Sequence, residues 1–163
     1  MRTCNLGDSG YVLFRAPAQP NSTERLEVVF RSKEQQYSFN FPYQCGTGCE
    51  LPYAAYETTH QLRDKDIVVM GSDGLFDNLY NADILECLLP QYSGTYSTTS
   101  VTGLLRDVQA AATCIASRSE EKSNQTSYLS PFARGAMETG VPYRGGKPDD
   151  ITVIVAQVDF KYQ

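Results

Sequence analysis

DIVVMGSDGLFDN, residues 66–78, reads as a buried strand that hands a carboxylate to a glycine turn. Ile67–Met70 is an unbroken apolar run rich in β-branched residues; Ser72, Asp73 and Gly74 end it, and a helix-like segment follows. A short apolar run bounded by turn residues is the mark of a strand covered on both faces. An aspartate at its end, beside a glycine that permits close approach, suits a hard metal ion. Two other stretches share the pattern. CNLGDSGYVLF, residues 4–14, puts Asp8 in a tight turn between apolar segments. GGKPDDITVIVAQV, residues 145–158, runs from a Gly/Pro loop through Asp149 and Asp150 into a strand. Singly, each has a plain reading as a solvated turn. Jointly, three acidic turns abutting strands predict metal-dependent hydrolytic chemistry.

The rest of the chain bounds that expectation. A length of 163 residues fits one domain with a sizeable core, and 41% hydrophobic with 20% charged residues is a globular composition. The net charge of −5, with no Lys/Arg cluster, opposes nucleic-acid binding. No apolar run is long enough to cross a bilayer. The first residues lie within a folded-looking motif rather than a signal peptide, so an N-terminal portion is expected upstream. Cys4, Cys45, Cys49, Cys87 and Cys114 are odd in number and contain no C-x-x-C pair, which favours reduced thiols. None of them is followed by the x5-Arg cradle of a cysteine phosphatase. His60, the single histidine, falls in a polar stretch and is expected at the surface.

Periodicity places strands near residues 3–6, 11–16, 26–31, 55–62, 67–71 and 151–158, with a polar loop at 17–24 and irregular chain at 42–52. Residues 81–89 carry apolar side chains on one helical face, with Asn81 or Asp83 available as a cap. The apolar stripe Val101, Leu104, Leu105, Val108, Ala111, Ala112 and Ile115 predicts a helix over 101–116, after a Ser/Thr-rich linker at 93–100. Pro131–Glu138 reads as a short helix with proline in its first turn. The pattern is α+β with mainly antiparallel strands.

Three blocks in order, NLGDSG (5–10), SDGLFD (72–77) and GKPDDITV (146–153), resemble the type 2C metal-dependent protein serine/threonine phosphatases, the PPM family. The segments RSKEQQYSFNFPYQ (31–44), SPFARGAMETG (130–140) and RGGKPDD (144–150) bring the likeness closest to a short organellar branch. The resemblance implies an α-β-β-α sandwich with a metal cluster at one end. By it, Asp73 and Asp149 bind the core ions, and Asp8 is a ligand of a third, more weakly held ion. Asp77 lies in that ion's outer shell or caps the following helix, Asp150 orients its loop, and Gly74 supports the turn. Carboxylates suit Mn²⁺ or Mg²⁺. Two such ions about 4 Å apart would activate a bridging water for in-line attack on a phosphoserine or phosphothreonine.

The pattern is also incomplete. The family's phosphate-clamping arginine, its early acidic residue and its DGxGG block have no counterpart here; Asp73-Gly74 is the sole Asp-Gly pair. Residues 1–163 are therefore expected to form the C-terminal portion of one type 2C catalytic domain, with its N-terminal part missing. The chain alone is expected to have little activity. The complete protein is expected to act on phosphoproteins as a monomer, inside the cell, with the mitochondrial matrix implied by the branch it resembles. The competing reading is a non-catalytic pseudophosphatase that docks a phosphoprotein or regulates a partner.

Overall fold

The computed structural model describes residues 1–17, 26–96 and 101–161. Beyond residue 17, the loop expected at 17–24 lies outside them, as do residues 97–100 of the expected linker. Among the described residues, ten strands and four α-helices follow in chain order. They are β1 (Arg2–Asn5), β2 (Gly10–Arg15), β3 (Glu27–Arg31), β4 (Gln36–Ser38), β5 (Phe41–Pro42), β6 (Tyr56–Thr59), β7 (Ile67–Gly71), α1 (Asp73–Phe76), α2 (Asn81–Leu88), β8 (Tyr92–Tyr96), β9 (Val101–Leu105), α3 (Val108–Ser123), α4 (Pro131–Glu138) and β10 (Val153–Gln157).

The central element is a four-stranded antiparallel sheet in the order β10-β7-β2-β3. Period-two alternation divides its side chains between two faces. Val12, Phe14, Ile67 and Val69 point inward and pack with Leu75, Leu79, Ile84, Leu88, Ala111 and Ile115 to make the main core under α2 and α3. Tyr11, Leu13 and Val68 form a smaller cluster on the opposite face with Phe30 and Leu62. The α+β class with antiparallel strands is as expected.

Register decides where the acidic turns go. Gly71 of β7 pairs with Gly10 of β2 on one side and with Val153 of β10 on the other. The turn before β2, the turn after β7 and the loop before β10 therefore leave the sheet at the same end of its strands. Because strand partners on neighbouring strands lie only about 5 Å apart, carboxylates distant in sequence converge there.

Several expectations need correction. Val101–Leu105 is not the first turn of a helix: it is β9, paired antiparallel with β8 from Tyr92↔Leu105 to Tyr96↔Val101, and the helix begins at Val108 with Asp107 as its cap. The Asp107 side chain accepts from the Ala110 N–H at 2.8 Å. Helix α2 is capped by the Asp83 side chain from its third position, one of the two expected residues, and not by Asn81. Its N-cap is Tyr80, whose N–H donates to the Asp83 carboxylate at 2.8 Å. The cysteines are not all reduced, since Cys87 of α2 and Cys114 of α3 form a disulfide between the two core helices. Cys4, Cys45 and Cys49 are free and exposed. His60 is half-buried rather than a plain surface residue: its Nε2 lies 2.8 Å from the Tyr11 hydroxyl, and its ring meets Phe30 edge-on at 4.5 Å.

Candidate metal centre

The site is built where the turn after β7 faces the loop before β10. Ser72 fastens one to the other: its hydroxyl donates to the Asp150 carbonyl at 3.0 Å and accepts from the Thr152 N–H at 3.1 Å. Helix α1 starts at once, and one turn of it sets Asp73 and Asp77 on the same face, with the Asp77 N–H donating to the Asp73 carbonyl at 2.7 Å. From the other side the 146–150 loop brings Asp149. Carboxylate oxygens of Asp73, Asp77 and Asp149 lie within 4.8 Å of one another.

Such a group repels itself unless positive charge is placed within it. Lys147 provides that charge. Its Nζ stands 2.6 Å from Asp77, 3.1 Å from Asp73 and 3.3 Å from Asp149. Burial pushes the Asp77 carboxyl up to about 6 despite the opposing pull of Lys147. Burial depresses the Lys147 ammonium, but Asp77 and Asp73 outweigh it and hold the group above the usual lysine range.

Asp8 stands apart from this triad. Its half-buried carboxyl is pushed upward by burial and by the charge of Asp73, and it lines a cleft with Arg31, Glu34, Phe76 and Asp77. Its turn is held by Gly7, whose φ of 94° belongs to the left-handed region that favours glycine. The carbonyl of Gly7 accepts from the Gln35 N–H at 2.8 Å. Asp77 caps no following helix; its side chain belongs to the acidic group. Asp150 acts through its backbone, donating to the Asp149 carboxylate at 2.9 Å as well as accepting from Ser72. The carbonyl of Gly74 accepts from Asn78 at 2.9 Å and from the Ser119 hydroxyl at 2.8 Å.

The sequence reading missed Lys147, Asn78 and Arg31. The guanidinium of Arg31 lies 4.8 Å over the Phe76 ring and donates to Asn81 at 2.7 Å. The only available signal was proximity in sequence: Asn78 ends the SDGLFDN run and Lys147 precedes PDD. The donor set fits a divalent ion. Three hard carboxylates present oxygens within 4.8 Å of one another, a donor type suited to such an ion.

No family model matches the sequence. Curated relatives do. The chain is 35% identical over 167 residues to "Protein phosphatase PTC7 homolog" of Homo sapiens, covering 97% of this chain and 49% of that protein. It is 34% identical over 160 residues to "Probable protein phosphatase 2C 55" of Arabidopsis thaliana, covering 97% of this chain and 30% of that protein. Among solved structures, that described as "X-ray structure of the photosystem II phosphatase PBCP" superposes with a TM-score of 0.76 at 27% identity, over 97% of this chain and 58% of that one. The chain spans about half the length of the human relative, 49%.

Proposed function

We propose that this chain, which belongs to the type 2C protein phosphatases, supplies the metal-binding carboxylates of a protein serine/threonine phosphatase. The observation that carries the reading is the meeting of Asp73, Asp77 and Asp149, from two loops more than seventy residues apart, around a single positive charge. Asp73 and Asp149 are assigned to the principal ions, Mn²⁺ or Mg²⁺, and Asp8 with Asp77 to a further one on the cleft side. When bound, such ions neutralise phosphoryl charge and lower the pKa of a bound water. Gly74 and Asp150 hold the two loops through their backbone groups. Arg31 lines the same cleft, where its guanidinium is held by Asn81 and the Phe76 ring.

The chain is read as the C-terminal portion of the catalytic domain, with the remaining ligands supplied by the part of the relatives that it does not cover. An organellar location, the mitochondrial matrix, follows the branch it resembles; organelle fractionation tests it, and a purely cytosolic signal would refute it. For activity, the native protein is captured with an antibody raised to this chain and offered a phosphothreonine peptide. Phosphate release that needs Mn²⁺ and disappears on Asp73→Asn supports the reading. A captured protein that binds Mn²⁺ but releases no phosphate favours the pseudophosphatase instead.

A further inference from the structure

Asn78 is wholly buried, with none of its surface exposed. Its side-chain amide is spent on backbone. Nδ2 donates to the Lys147 carbonyl at 2.8 Å and to the Gly74 carbonyl at 2.9 Å, while Oδ1 accepts from the Lys147 N–H at 2.8 Å. The first and third of these make a paired donor–acceptor contact with one residue, as a neighbouring strand would. The distance in sequence between Asn78 and Lys147 is 69 residues. A buried amide satisfied in this way fixes both position and orientation of its partner, because any slip leaves several polar groups unpaired.

We infer that Asn78 is a positioning residue that sets the 146–150 loop in register against the turn after β7. It thereby fixes the spacing of Asp149 from Asp73 through the Lys147 backbone. Aspartate keeps the acceptor and loses both donors, and alanine loses all three bonds. The register rests on the contacts alone; its effect on a divalent ion rests on the function proposed above.

Amide hydrogen exchange on the metal-free chain tests the register. Asn78→Ala is expected to speed exchange at Gly146, Lys147 and Asp150 by about tenfold beyond any general loss, with β7 and β10 retaining their protection. In the same variant, Mn²⁺ affinity measured by electron paramagnetic resonance falls about tenfold or more, the scale for residues that orient ligands. Where Asn78→Ala does not fold, Asn78→Asp keeps the Lys147 N–H protected but still weakens Mn²⁺. A uniform loss of protection over the whole chain, or a Lys147 amide that exchanges as freely in the unaltered chain as in the variant, overturns the inference. A chain that binds no Mn²⁺ at all overturns the functional reading and leaves the exchange result to decide the role of Asn78.

Discussion

Lys147 Nζ lies 2.6 Å from the Asp77 carboxylate and shares its charge with Asp73 and Asp149, so the acidic group contains its own cation. The lysine stem is largely buried, with Nζ 5.0 Å over the Phe132 ring. A divalent ion taken up by these carboxylates must displace or repel that ammonium. Lys147 therefore stabilises the metal-free state and opposes metal binding.

The variant Lys147→Met separates those effects, since methionine keeps the apolar stem and removes the charge. The metal-free variant is expected to lose about 1–3 kcal/mol, the cost of leaving charged groups without their partner. Mn²⁺ is then expected to raise its thermal midpoint by more than it raises that of the unaltered chain. Equal Mn²⁺ shifts in the two proteins would show that the ammonium and the ion do not compete.

At Gly74 the two loops touch. A Cβ built there would stand 2.4 Å from the Asp150 carbonyl oxygen and 3.2 Å from Ile151 Cγ1, so Gly74→Ala forces the backbones apart. The expected cost is about 1–3 kcal/mol, as for other overpacked interior sites, accompanied by weaker Mn²⁺ binding. Unfolding curves with and without Mn²⁺ read both. A variant as stable and as metal-competent as the parent would mean that the approach of the loops is dispensable.

Much of this site was legible from the chain because its carboxylates sit in turns flanking apolar runs, and the pairing of Gly71 with Gly10 and Val153 then brings those turns to one end of the strands. The misreadings have physical causes. Val101, Leu104 and Leu105 fit a helical stripe as well as a strand, and only the pairing with β8, a tertiary fact, decides between them. The bond between Cys87 and Cys114 depends on α2 packing against α3, which cysteine spacing does not encode. Asn78 carries no chemical mark that separates a buried clamp from an ordinary turn residue. Asp77 was legible as an acid, but its contact with Lys147 from a distant loop is a tertiary fact that spacing does not encode.

His60 makes stability depend on pH. Burial, and then the charge of the N-terminal ammonium, hold its imidazole below the ordinary value of 6.5. The unfolded chain thus binds the proton first. The contribution of His60 is fully present above 6.5 and is lost as pH falls through that value toward the lower folded one. Asp77, pushed up to about 6, slopes the opposite way, so the comparison must be between proteins. Urea unfolding at pH 7.5 and pH 5 is expected to show a smaller acid loss in His60→Gln than in the parent. The same loss in both would remove His60 from the account.

The most direct test is Mn²⁺ titration of the chain followed by electron paramagnetic resonance. The account predicts saturable binding that Asp73→Asn and Asp149→Asn each weaken by about tenfold or more, as loss of a charged ligand requires. Glu138→Gln, at the exposed end of α4, is expected to bind as the parent does. Binding that is absent from the parent, or unchanged by both aspartate substitutions, would contradict the assignment of these carboxylates to a metal.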